Sequence, residues 1–190
     1  MKQNNKLLSM VIAALLCAIG IVIPMYAPKI VLEPASFTLA SHVPVFIAMF
    51  ISPFVAISVA LITSFGFMLS GFPTVVVLRA LSHIVFAAVG SYVLKKNGKL
   101  LLTTKNKAIF GFLISILHAL CEVVVVTIFY FGSNMTTSWY DKGYLFSVIG
   151  LVGIGTLIHS MVDLGIALFV WSPLQNIISI PVSARVAKRQ

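Results

Sequence analysis

The stretch Lys95–Lys107, KKNGKLLLTTKNK, carries five lysines and no acid, and it interrupts a chain that is otherwise almost continuously apolar. Basic clusters beside apolar runs stay on the cytoplasmic side of a membrane. Two other places have the same signature: Lys2 and Lys6 before the first apolar run, and Arg185, Lys188 and Arg189 after the last. With all three segments inside, an even number of crossings separates each from the next.

Upstream, 88 residues run from Leu7 to Leu94, and a spanning helix takes about 20. Two crossings would leave most of that apolar chain unaccounted for, so the reading is four helices, near 7–26, 37–52, 54–70 and 73–94. Pro44 lies in the second and Pro53 opens the third, which predicts tilted or broken helices whose irregular backbone faces protein or a cavity. Downstream, 107–132 and 144–172 supply two more helices and place Ser133–Gly143 outside. The predicted fold class is therefore all-α: one polytopic membrane domain, 1–190, with six transmembrane helices and both N and C termini cytoplasmic.

Composition agrees. The 190 residues are 60% hydrophobic and 9% charged, with a mean hydropathy of +1.11, which is the range of integral membrane proteins. The net charge of +9 does not point to nucleic acid, because ten of the thirteen basic residues fall in the three segments just described. Cys17 and Cys121 lie in apolar runs without Cys-x-x-Cys spacing and read as small core residues. No small-x-small cleavage site follows the first apolar run, so that run is expected to be a membrane helix and not a signal peptide.

Ionisable groups inside these helices are expensive and normally face a cavity or a partner helix. Helix 4 carries Arg79 and His83, helix 5 His118 and Glu122, helix 6 His159 and Asp163, each pair spaced i, i+4 and so stacked on one helix face. At 1.5 Å per residue, Arg79 lies about 9 Å below the outer surface, and His83 and Glu122 about 15 Å. His42, near the outer end of helix 2, joins them to line one outer cavity. Arg79 and Glu122 either contact a ligand there or neutralise each other. Asp163, about 30 Å along helix 6 from its outer start, is assigned to the inner half. His118 reads as a satisfied core histidine, and His159 with Asp163 as an interhelical hydrogen-bond lock.

Other chemistries find little support. There is no His-Glu-x-x-His, and isolated i, i+4 pairs on separate helices are poor metal signatures, so no metal site is expected. Neither a Gly-x-Ser-x-Gly elbow nor a phosphate-binding glycine loop occurs. No cofactor is expected in this chain, and an ATP-driven role needs ATPases on other chains. Six helices without an inverted repeat are few for a self-sufficient carrier.

Helix 1 contains Ala14-Leu-Leu-Cys-Ala18, and the segments Pro34–Pro53, PASFTLASHVPVFIAMFISP, and Arg79–Ala87, RALSHIVFA, are the most distinctive polar-in-apolar stretches. On these residues and the six-helix outline, the whole chain resembles the S components, the substrate-capture subunits, of energy-coupling factor (ECF) transporters. The resemblance implies that Ala14 and Ala18 form the Ala-x-x-x-Ala docking face, which lets helices approach closely. It implies as partners a transmembrane coupling subunit and two cytoplasmic ATPase subunits, which use the ATP, in a prokaryotic cell membrane.

The resemblance also implies a water-soluble vitamin or related micronutrient bound near the outer face by loop 1, the outer loops and helices 4 to 6. Loop 1, Ala27–Thr38, then offers Glu33, Ser36 and Phe37, and the loop Ser133–Gly143 offers Asn134, Trp139 and Tyr140. Trp139 either stacks on cargo or anchors a helix at the interface. The resulting ligand-binding candidates are Glu33, Phe37, His42, Arg79, His83, Glu122 and Trp139. Nickel and cobalt members begin Met-His, whereas this chain begins Met1-Lys2, which disfavours a metal cargo. The ASFTLASHVP region looks like niacin-type or cobalamin-type members, with queuosine precursors behind. Arg79 suits a carboxylate and Glu122 a cation. Two alternatives stand beside this reading: a self-contained channel or carrier, and an intramembrane enzyme using His/acid pairs.

Overall fold

The computed structural model describes residues 2–32, 35–178 and 180–186, with side chains from residue 5 onward. It consists of helices α1 (Lys2–Tyr26), α2 (Val43–Ile51), α3 (Pro53–Leu69), α4 (Thr74–Lys96), α5 (Thr104–Phe131), α6 (Thr137–Asp141) and α7 (Gly155–Ile177). A π-helical stretch, Leu145–Ile154, runs directly into α7. A two-stranded antiparallel hairpin, β1 (Lys29–Leu32) and β2 (Ala35–Thr38), pairs Ile30 with Phe37.

Among the described residues, four helices are long and apolar enough to cross a membrane: Asn5–Tyr26, Thr74–Lys96, Thr104–Phe131 and the continuous Leu145–Ile177; Pro53–Leu69 is a shorter apolar helix. Their outward faces are large and apolar, with Leu7, Met10, Leu15, Ile128 and Phe169 all exposed. That is the arrangement expected where hydrocarbon replaces water as solvent. The chain is an all-α membrane protein apart from the hairpin.

Helix 2 is where the structure departs from the expected outline. Residues 37–42 are strand and turn, and α2 is only nine residues long, all of them buried. At 1.5 Å per residue it reaches about 14 Å, short of a hydrocarbon core about 30 Å thick. Its all-round apolar surface is explained by burial in protein: α1, α3, α4 and α7 all pack against it, and Phe46, Ala48, Met49 and Phe50 have no exposed surface.

Ends of helices are closed locally. Ser52 caps α3, its Oγ accepting from Val55 N at 3.2 Å, with Pro53 in the first turn. The last carbonyls of α2 are met by the C-terminal segment: Ala184 N donates to Phe50 O and Ser183 N to Ile51 O, each at 3.0 Å. Trp171 Nε1 donates to Ala184 O at 3.3 Å and Val186 N to Gln175 Oε1 at 2.9 Å, so residues 180–186 form a packed cover on that end of the bundle.

Candidate functional site

At the opposite end of α2 the bundle opens into a cavity of about 580 Å³, lined by the hairpin, the α2 entrance, α4, α5, α7 and residues 134–139. Phe37, His42, Arg79, His83, Glu122 and Trp139 all line it, together with Lys29, Thr156 and His159. The wall at Phe37 depends on a glycine. A Cβ at Gly155 would stand 2.6 Å from the Phe37 ring, so only glycine lets β2 lie this close to α7.

Glu122 organises the floor. Its Oε2 accepts from Arg79 Nη2 and from Thr156 Oγ1, both at 2.7 Å, while Oε1 lies 3.3 Å from His83 Nε2 and 3.5 Å from His118 Nε2. Arg79 and Glu122 therefore do neutralise each other across α4 and α5, and both also face the cavity. Arg79 Nε is buried and has no hydrogen-bond partner among the described residues. His118 is fully buried and its Nδ1 lies 3.1 Å from Ser160 Oγ, but its Nε2 lacks a partner. As a core histidine it is only half satisfied.

Asp163 organises the neighbouring wall, and here the depth assignment is corrected. Asp163 Oδ1 accepts from Ala40 N at 2.8 Å, and Oδ2 accepts from His42 N at 2.8 Å and lies 3.0 Å from His42 Nδ1. It is level with the cavity-lining His42, not in a separate inner half. Two things shift the levels: the chain entering α2 dips into the bundle as a hairpin and turn, and the wider π winding of 145–154 advances less per residue than an α-helix. His159 Nε2, 3.3 Å from Asp163 Oδ2 and 3.1 Å from Ser41 Oγ, joins the same lock. Ala40 is held at φ 66, an uncommon conformation for a residue with a side chain.

Four histidines from four segments thus meet. The His42 ring centroid lies 4.9 Å from that of His83, 4.6 Å from His118 and 5.0 Å from His159. Sequence spacing identified three polar helix faces but missed Lys29, Thr156 and His159 as lining residues; the signal for His159 was its i, i+4 pairing with Asp163. Trp139 is buried against Phe37, Val126 and Val148 while also lining the cavity. Glu33 lies outside the described residues. Ala14 and Ala18 are exposed on the outward face of α1, away from the cavity, whereas Cys17 and Gly20 turn inward.

No family model matches this chain, and no solved structure matches it significantly. The chain is 42% identical over 167 residues to the niacin transporter NiaX of Lactococcus lactis subsp. cremoris (strain MG1363), an alignment that covers 87% of this chain and 74% of the relative. That relative is a transporter, not an enzyme. With identity sustained across most of both chains, an apolar helical body and a polar cavity at one end, the chain belongs to the vitamin-uptake S components of energy-coupling factor transporters.

Proposed function

We propose that this S component captures niacin-type cargo, a pyridine carboxylate, in the cavity at the hairpin end for ATP-driven import across a prokaryotic cell membrane. The observation that carries the reading is Arg79: its guanidinium lines the cavity, and of its nitrogens only Nη2 is engaged among the described residues, by Glu122. A planar guanidinium with free N–H groups is suited to a carboxylate. Phe37 and Trp139 supply aromatic surface for a flat ring, with His42, His83 and Glu122 as further contacts and Glu33 as a loop candidate. A cavity of about 580 Å³ accommodates a pyridine carboxylate or a queuosine precursor. Cobalamin is many times larger than the first of these.

The topology that fits is six crossings with both termini inside, the short α2 completing its crossing with the hairpin and turn. Arg185 N donates to Gly98 O at 3.3 Å, which brings Arg185 to the same end as the second basic segment. Lys29 and Asn134 line the same cavity at the other end. The exposed Ala14/Ala18 face of α1 is the surface for a coupling subunit, with two ATPase subunits bound behind it.

Mass spectrometry of small molecules released from the purified full-length chain tests the cargo. Nicotinate is expected, with calorimetry confirming that it rebinds. Recovery of a different compound, together with no measurable nicotinate binding, would refute the niacin-type reading.

A further inference from the structure

The geometry points to a divalent transition-metal site, of the zinc class, formed by His42, His83, His118 and Glu122 at the cavity floor. One ligand atom from each of these four residues lies within 4.8 Å of all the others. The individual separations are more telling. His83 Nε2 and His118 Nε2 stand 3.3 and 3.5 Å from Glu122 Oε1, long for hydrogen bonds to a carboxylate, which run about 2.7–2.9 Å. Two ligands bound to one ion at about 2.0–2.2 Å with tetrahedral angles stand roughly 3.3–3.5 Å apart.

The surroundings orient three of the four ligands for that role. His42 Nδ1 is engaged by Asp163 Oδ2 at 3.0 Å, which leaves Nε2 free; His118 Nδ1 is engaged by Ser160 Oγ at 3.1 Å, which does the same. Glu122 Oε2 is occupied by Arg79 and Thr156, so Oε1 is the oxygen turned to the imidazoles. A carboxylate on the far nitrogen of an imidazole is the usual outer shell of a metal-binding histidine, and the Ser160 hydroxyl plays the same part at His118 when it accepts from Nδ1. His118 Nε2, with no exposed surface and no partner among the described residues, is the buried polar atom that an ion would satisfy.

Sequence spacing predicted no such site, because its ligands come from three separate places: the α2 entrance, α4 and α5. The site shares His42, His83 and Glu122 with the proposed cargo contacts, but its test reads metal binding without cargo. Titrating tag-free, chelator-stripped full-length protein with Co²⁺ tests it, because visible absorption bands report four-coordinate ligation. Saturation at one Co²⁺ per chain, displaced by Zn²⁺, is expected. His83→Gln should weaken Co²⁺ binding by more than about tenfold, and Ser160→Ala, which only releases the far nitrogen of His118, by about tenfold. If His83→Gln does not fold, the wild-type titration and Ser160→Ala still decide. Absence of a saturable coloured complex in the wild-type chain, or unchanged affinity in both variants, would overturn the proposal.

Discussion

His42 and Asp163 are 121 residues apart in sequence, yet Asp163 Oδ2 lies 3.0 Å from His42 Nδ1 and also accepts from His42 N at 2.8 Å. A carboxylate only accepts, so His42 Nδ1 carries the proton and the imidazole is fixed in one tautomer. Together with the bond from Ala40 N, this one side chain pins the turn between hairpin and α2 onto α7. The cavity's shape depends on that clamp.

Asp163→Asn therefore tests whether the clamp is structural. A neutral amide has one acceptor oxygen where three N–H groups now converge, so at least one buried donor loses its partner at a cost of about 1–3 kcal/mol. Thermal unfolding of the full chain in detergent should show a clearly lowered midpoint. A midpoint equal to that of the unsubstituted protein would mean that the turn holds without Asp163.

The Arg79–Glu122 pair separates stability from recognition. Removing Glu122 alone strands a largely buried guanidinium, and a loss of about 3–5 kcal/mol is expected; Arg79→Ala/Glu122→Ala should recover part of it, since no unpaired charge remains. Arg79→Ala should also weaken nicotinate binding by more than about tenfold, the loss of one charge-assisted hydrogen bond worth about 1.5–3 kcal/mol. Calorimetry with nicotinate and unfolding of all three variants checks both arms. Unchanged nicotinate affinity in a folded Arg79→Ala chain would remove Arg79 from the binding site.

On α1, Ala14 and Ala18 are exposed, while Leu16 and Cys17 between them belong to the core. Replacing both with Trp should leave cargo binding unchanged and abolish uptake in cells, because bulky side chains prevent close approach of a partner helix. Lost binding in the purified variant would instead mean that α1 shapes the cavity.

Side-specific labelling checks the topology. In a background with Cys17 and Cys121 replaced by Ser, a cysteine at Lys99 should react with a membrane-impermeant thiol reagent only from the cytoplasmic side, and one at Asn134 only from outside. Reaction of both from the same side would contradict six crossings.

Much of the architecture was legible because it rests on local physics. Apolar runs such as 107–132 must be helical in lipid to satisfy their own backbone, and the lysines at 95–107 mark the break between two such helices. The i, i+4 spacing of Arg79/His83, His118/Glu122 and His159/Asp163 likewise marked the inward faces of three helices. Residues 37–52 misled for an equally physical reason: a segment buried by protein is as apolar as one bathed in lipid, so composition alone made a full span out of a short strand and a nine-residue helix.

By itself, then, the amino-acid order determined that this is a helical membrane protein, which helix faces are polar and where the basic ends lie. Only the tertiary structure decided that Glu122 takes Arg79 and Thr156 on one oxygen and faces His83 and His118 with the other, and that Asp163 closes on His42. Helix periodicity sets the direction of a side chain about its own axis, whereas partnership depends on the relative height and rotation of separate helices. Those are set by packing around the buried α2, by Gly155 beneath Phe37 and by the π winding ahead of α7, none of which a single helix's sequence encodes.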